Sequence, residues 1–242
     1  MKKLTVFCAA ACLAASAAAQ NHPDLHEVLD RQKGRNLIEI PKGTYTLDVR
    51  NNGPYKFHNL TDVHINGNGS TVICNNQEQA FSFYNCVRVE LRDLTIDYDP
   101  LCFTQGEITA VAEDGSWFDV RIDEGYPVTG LAANRVQFYD PQTRLLKRNS
   151  ITTYTSNYSA LKQLGHNLFR AVKNGTWSAG EQVGDLVVMD VKTDKPNAGV
   201  HTVMLNKCYN TKLENVTVYG SNTFSFFEKE GYANEYRNCV VD

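Results

Sequence analysis

The sequence predicts an all-β protein built as a solenoid, in which short strands stack coil on coil. Two segments more than a hundred residues apart carry the same pattern: CVRVELRDLTIDYD begins at Cys86, and CYNTKLENVTVYGS begins at Cys208. A third, shorter copy contains Asn238, which lies 23 residues after the equivalent Asn215. Strands that repeat at this spacing cannot bury an apolar side alone, so each coil is expected to cover its neighbour.

The alignment of the two long copies also predicts which residues lie side by side. The predicted neighbours are Cys86 and Cys208, Leu91 and Leu213, Asp93 and Asn215, Leu94 and Val216, Thr95 and Thr217, and Ile96 and Val218, with Tyr236, Cys239 and Val241 continuing the pattern. We interpret the cysteines as buried thiols stacked between coils, with a disulfide as the alternative. Five cysteines follow the leader segment: Cys74, Cys86, Cys102, Cys208 and Cys239.

The first 19 residues have the pattern of a secretory signal peptide. Lys2 and Lys3 precede an apolar stretch over residues 4–15, and small residues at 17–19 offer a cleavage site. The chain is therefore expected to be secreted or periplasmic. Lipid anchoring is disfavoured, because neither Cys8 nor Cys12 has a leucine three residues before it.

The composition argues against several classes of binding partner. No later apolar run approaches the roughly 18 residues of a membrane span. The net charge is −3, and it becomes −5 once the two lysines of the leader are removed. A mildly acidic chain without a basic stripe argues against a nucleic-acid partner. The sequence shows no metal-ligand spacing and no cofactor fingerprint.

Residues 20–101 are predicted to form the first coils. A short capping helix is expected from His22 to Gly34, with Leu25, Val28 and Leu29 on its apolar face and Asn21 or Asp24 as the cap. Two strands then flank Pro41–Gly43. The next coils cover 57–74 and 81–97, and the residues expected to point inward in the first of them are Val63, Ile65, Val72 and Ile73.

Residues 102–199 interrupt the repeat with alternating strands and hairpin turns, such as EITAVAEDGSWFDVRID around Glu113–Gly115. This pattern predicts an inserted antiparallel domain resembling a small β-barrel. Coils resume over 200–242, and the sequence stops inside a strand with no capping element. The chain is therefore expected to be the N-terminal part of a longer protein.

Two acidic groups are candidates for sugar binding. Asp97 and Asp99 end the coil before the insert, and Asp97 aligns with Tyr219 and Asp242. Coils lie about 4.8 Å apart, so Asp97 and Asp242 would be about 10 Å apart, slightly beyond the carboxylate spacing of glycosidases. The alternative is that both aspartates cap the turn before Pro100.

The second group is Glu228 and Glu230, which are expected to face outward. They lie near Phe226, Phe227 and Tyr232, and carboxylates beside aromatic rings are typical of sugar sites. The alternative is a solvated turn. The histidines at positions 58, 64, 166 and 201 show no regular spacing and are interpreted as structural.

The phrases IEIPKGTYTL, HINGNGSTVI and LRDLTIDYD resemble those of right-handed parallel β-helix proteins of the pectate-lyase-like superfamily. TIDYDPLCFTQGEITAV, followed by an inserted β domain, resembles glycoside hydrolase family 110 more narrowly. That resemblance implies a secreted, exo-acting, metal-free enzyme that removes terminal α-linked galactose with inversion. Its catalytic aspartates would lie on later coils, because no matching DDG phrase occurs here. No catalytic residue is assigned, and the chain alone is expected to be inactive.

Three functions follow from this sequence. The first is the N-terminal part of an α-galactosidase-like glycoside hydrolase. The second is a non-catalytic carbohydrate-binding or surface β-helix protein, since the fold also serves such roles. The third is a polysaccharide lyase. All three have an oligosaccharide or polysaccharide as the partner.

Overall fold

The computed structural model describes residues 22–147, 158–174, 180–191, 201–221 and 223–242, and for 133–135 and 158–160 it describes the backbone alone. The predicted leader segment 1–19 lies outside the described residues. In the described part of the chain, none of the helices is long and apolar enough to cross a bilayer.

The predicted N-terminal helix is present but shorter than expected. Helix α1 covers Leu25–Asp30, and its Leu25 and Leu29 are fully buried against the first coil. Asp24 is the N-cap, and its carboxylate accepts a hydrogen bond from the backbone N–H of His26 at 2.9 Å. Turns replace the helix after Arg31 and lead to Gly34, whose φ of +82° suits a residue without a side chain.

Replacing Asp24 with alanine should loosen this cap. Removing an N-cap carboxylate leaves a helix N–H unpaired and typically costs about 1 kcal/mol. We expect the Asp24→Ala variant to lose about that much free energy of unfolding in urea titrations. Glu113→Ala, in an exposed hairpin turn of the insert, is the control for the loss of one surface carboxylate. A loss no larger than that of the control would contradict a capping role for Asp24.

The coils are built from short strands that follow the predicted order. Before the insert the strands are β1 (Leu37–Glu39), β2 (Thr44–Leu47), β3 (Tyr55–His58), β4 (Thr61–Cys74), β5 (Phe81–Tyr84) and β6 (Val87–Tyr98), with a short helix α2 (Val49–Asn52) between β2 and β3. The insert contains β7 (Phe103–Val111), β8 (Trp117–Ile122), β9 (Leu131–Tyr139), β10 (Tyr158–Gln163), β11 (Leu168–Lys173) and β12 (Leu186–Val191). After it come β13 (Val203–Asn206), β14 (Lys212–Val218), β15 (Phe226–Lys229), β16 (Glu235–Arg237) and β17 (Val240–Val241).

The coil strands form two parallel sheets around one core. One has the order β1-β4-β6-β14-β16, with β2 on β4 and β17 on β14, and the other has the order β3-β5-β13-β15. Leu91 pairs with Leu213, Thr95 with Thr217 and Ile96 with Val218, as the repeat alignment predicted. The parallel β-solenoid is therefore confirmed, and the insert does not disturb the register of the coils that flank it.

The corners between strands repeat as well. Asp93, Asn215 and Asn238 adopt positive φ angles of 55°, 53° and 49° at the same corner of successive coils. The Asn215 amide donates to the Asp93 carboxylate at 2.8 Å, and the Asn238 amide donates to the Asn215 side-chain oxygen at 3.2 Å. Short polar side chains tolerate this left-handed conformation, so the corner forms a ladder of hydrogen bonds.

Most predicted core residues point inward, but the expectation for Ile73 was wrong. Val72 and Cys74 are fully buried, while Ile73 between them is only partly covered. Neighbouring residues in a strand point to opposite faces, so three apolar residues in a row cannot all enter the core. The thiol of Cys74 takes the inner position, and Ile73 lies on the outer face.

The insert is a separate antiparallel unit. Its six strands have the order β10-β11-β8-β7-β12-β9, and the edge strands β9 and β10 approach each other, which curls the sheet toward a barrel. Its buried side chains form a second core, distinct from that of the coils, which includes Ile108, Phe118, Val120, Phe138 and Met189. At the junction, the Cys102 thiol donates to the Gly220 carbonyl at 2.8 Å and connects the insert to a later coil.

The five described cysteines are free thiols, and all except the partly covered Cys239 are buried. Cys86 and Cys208 lie on adjacent coils, because the backbone N–H of Tyr209 donates to the Cys86 carbonyl at 2.9 Å. The proximity of the two thiols lowers the pKa of Cys86, and the same proximity, with burial, raises the pKa of Cys208. The predicted stack of buried thiols is present.

Candidate functional site

Asp97 lies on the outer face of the larger sheet, where β6 reaches the insert. Its neighbours Ile96 and Tyr98 point inward and are buried. On the adjacent coil, the backbone N–H of Tyr219 donates to the Ile96 carbonyl at 2.9 Å, and one coil further the N–H of Asp242 donates to the Val218 carbonyl at 3.2 Å. Tyr219 therefore lies between the two aspartates, as predicted. We call Asp97, Tyr219 and Asp242 the outer row.

A line of hydroxyl groups runs beside the outer row. Thr71 pairs with Thr95, and Thr95 pairs with Thr217. These threonines precede the positions of the outer row by two residues, so their side chains share its face of the sheet. The Tyr219 side chain is 41% exposed. The face thus combines an exposed ring, flanking carboxylates and hydroxyls, which are the groups that contact a sugar's apolar side and its hydroxyls.

The outer row is arranged for binding rather than for paired acid and base chemistry. Two coil spacings separate Asp97 from Asp242, or about 10 Å, whereas inverting glycosidases place their carboxylates about 6.5–9.5 Å apart. One oxygen of Asp97 also accepts the backbone N–H of Tyr98 at 2.7 Å.

Asp99 contributes less to this face. It is exposed, and its backbone N–H donates to the Cys74 carbonyl at 3.1 Å in the turn that precedes Pro100. That backbone contact agrees with the alternative that Asp99 belongs to the turn. The structure does not place its side chain in the outer row.

Glu228 is exposed, as expected, although its partners on the neighbouring coils are buried. In the parallel ladder Glu228 pairs with Leu205, and Leu205 pairs with Phe83, both of which are buried. Glu228 therefore occupies an inward position of its coil. Its carboxylate accepts hydrogen bonds from the Asn234 amide at 2.9 Å and from the Tyr236 hydroxyl at 3.3 Å.

Gly231 explains why a carboxylate fits there. A Cβ atom at Gly231 would lie 2.3 Å from a Glu228 oxygen and 2.6 Å from the Asn234 amide nitrogen. On the two preceding coils the equivalent inward positions hold Cys86 and Cys208, so the missing side chain leaves room for Glu228. Glu228 also lines a concavity, together with Phe226, Tyr236, Cys239 and Val241.

Glu230 lies at a corner, away from this concavity. It has a φ of 53° and is half-exposed, with its carboxylate 3.7 Å from the Lys207 ammonium and 3.5 Å from that of Lys229. Exposed pairs of this kind contribute little to stability. The four predicted residues are thus distributed over separate places: Asp97 in the outer row, Asp99 in a turn, Glu228 in the concavity and Glu230 at a corner.

Sequence reasoning did not identify an aromatic cluster formed by His201, Phe224 and Phe227. The His201 and Phe227 rings stack with centroids 4.0 Å apart, and the Phe224 and Phe227 rings are nearly parallel at 6.0 Å. Burial lowers the pKa of His201 below its ordinary value, so the imidazole is neutral at pH 7. The available signal was strand alternation, which directs Phe227 outward once Phe226 is placed inward.

The described residues include no group of three or more histidine, cysteine or acidic side chains arranged to hold a metal ion. Comparison with known proteins shows no matching family model and no matching curated protein. The fold and the local geometry are therefore the basis for a functional proposal.

Proposed function

We propose that this protein acts on glycans, and that the outer row binds terminal α-linked galactose in a secreted glycoside hydrolase. The observation that carries the proposal is the position of Tyr219, an exposed ring between two carboxylates and beside a line of threonine hydroxyls. The insertion of an antiparallel domain directly after β6 supports the resemblance to α-galactosidases, and the predicted leader segment supports secretion.

Binding is tested by calorimetric titration with methyl α-galactoside. Replacing Tyr219 with alanine removes the ring that would cover the sugar's apolar face, so we expect roughly tenfold weaker binding, equivalent to about 1.4 kcal/mol. Asp97→Asn should weaken binding by a similar factor, because it removes the charge from an acceptor. Tyr209→Ala is the control, since Tyr209 is a tyrosine of nearly the same exposure, 40%, outside both candidate groups.

Two outcomes would contradict a site at the outer row. One is wild-type protein that does not bind the galactoside. The other is equal weakening by Tyr219→Ala and Tyr209→Ala. Hydrolysis is measured separately, as the release of galactose from oligosaccharides that end in α-linked galactose.

A second function, glycan binding without catalysis, is favoured by one observation. The distance of about 10 Å between Asp97 and Asp242 exceeds the range of inverting enzymes. Binding of the galactoside by wild-type protein without release of galactose would favour this second function over the first.

A further inference from the structure

The aromatic cluster lies on the outer face of the smaller sheet. Phe227 pairs with Met204, and both alternate with the inward residues of their strands. Phe224 is 59% exposed. An exposed ring that lies nearly parallel to a second ring offers a flat apolar surface.

Polar contacts fix the cluster in place. The Nδ1 atom of His201 is 2.9 Å from the Thr223 hydroxyl, and the imidazole stacks on Phe227. The Thr202 hydroxyl donates to the Ser221 hydroxyl at 3.0 Å and is 2.9 Å from the hydroxyl of the buried Tyr98. Both ends of the loop between β14 and β15 are therefore tied to the coil below, so the exposed ring is held in position before any ligand arrives.

A short stretch of chain joins the cluster to the outer row. Tyr219 is at the start of the loop between β14 and β15, and Phe224 is at its end. The five residue steps from Tyr219 to Phe224 limit the distance between their Cα atoms to about 18 Å, which a short oligosaccharide can span. The imidazole is neutral and the other two rings are uncharged, so this surface matches an uncharged sugar ring.

We propose that the aromatic cluster is a second sugar subsite, which stacks on a neutral pyranose ring next to the galactose bound at the outer row. The ligand would then be an oligosaccharide rather than a free monosaccharide. This inference rests on the proposed function. It extends that function by naming residues for the penultimate sugar.

The experiment compares two ligands by calorimetric titration: methyl α-galactoside and a neutral trisaccharide that ends in α-linked galactose. Phe224→Ala should weaken binding of the trisaccharide by roughly three- to tenfold, the scale of one lost aromatic contact, and leave binding of the monosaccharide unchanged. Phe224→Leu, which keeps the apolar bulk but removes the ring, should show the same selective loss of affinity for the trisaccharide. Phe224→Trp keeps an aromatic ring and should bind the trisaccharide as the wild type does. Tyr209→Ala, at an exposed aromatic residue outside the cluster, is the control. Far-UV circular dichroism shows whether each variant is folded.

Two results overturn the subsite while leaving the proposed function intact. In the first, the wild type binds both ligands and Phe224→Ala binds the trisaccharide within twofold of wild type. In the second, Phe224→Ala weakens both ligands equally. If the wild type binds neither ligand, the proposed function and the subsite both fail. The subsite is also contradicted if the wild type binds the trisaccharide no more tightly than it binds the monosaccharide.

Discussion

Replacing Leu91 with alanine is expected to cost about 2–5 kcal/mol of the free energy of unfolding. Leu91 is fully buried, and it pairs with Ile65 on one neighbouring coil and Leu213 on the other. Truncating Leu91 removes apolar contacts with both neighbours and leaves a cavity. The cavity can collapse only in part, because the hydrogen-bonded strands of the coils hold the backbone in place. A single-domain stability is typically about 5–15 kcal/mol, so this variant should unfold at a clearly lower urea concentration.

The measurement is urea denaturation followed by far-UV circular dichroism. Leu145→Ala is the matched control, because Leu145 is the same residue type, 69% exposed in a turn of the insert. The control should change stability by less than about 0.5 kcal/mol. A loss below about 1 kcal/mol for Leu91→Ala would show that the coils do not share the continuous core seen between Ile65 and Leu213.

The register of the coils could be predicted because the repeat preserves its spacing. Leu91 and Leu213 occupy the same place in two phrases that differ at many other positions, and backbone pairing in parallel strands follows that alignment directly. The insert could be recognised as antiparallel because its strands alternate and are joined by hairpin turns. Local sequence patterns were therefore sufficient to predict the architecture of both the coils and the insert.

Residue orientation was harder to predict where a pattern admitted two alternatives. Ile73 was expected to point inward, but Cys74 occupies the inner position, and cysteine is buried as often as isoleucine. Glu228 was expected to face outward at the end of its strand, and it is exposed, but its inward register was not foreseen. Aligning Glu228 with Leu205 and Phe83 would have placed it inward, and Gly231 shows how the coil accommodates it.

The candidate site was only partly predictable. The outer row follows from the repeat, since Asp97, Tyr219 and Asp242 lie at equivalent positions. The aromatic cluster lies partly in a loop, and its rings come from before β13 and from the segment around β15. No repeat relates His201 to Phe224, so their proximity depends on tertiary structure alone.

The second large effect is expected in the insert, from Gly106→Ala. Gly106 pairs with Ile122 where β7 and β8 lie side by side. A Cβ atom at this position would lie 2.1 Å from the Arg121 carbonyl oxygen and 2.8 Å from the Ile122 Cα. Both atoms belong to backbone, so no side-chain rotation relieves the overlap and strand β8 must move. Overpacking typically costs 1–3 kcal/mol, and we expect a loss of about 3 kcal/mol because the obstructing atoms are backbone.

This loss should be confined to the insert, because its core and the core of the coils contain different residues. In thermal unfolding, Gly106→Ala is expected to lower the transition reported by the near-UV signal of the two tryptophans, Trp117 and Trp177, which both belong to the range 102–199 of the insert. Amide hydrogen exchange at Leu91, a probe of the coils, should be unchanged. Gly165→Ala is the control, since its added Cβ would meet its closest neighbour, the Leu168 Cβ, at an ordinary 3.6 Å. Equal loss of protection at Leu91 and at Trp117 in the Gly106→Ala variant would mean that coils and insert unfold as one cooperative unit, joined through the contact between Cys102 and Gly220.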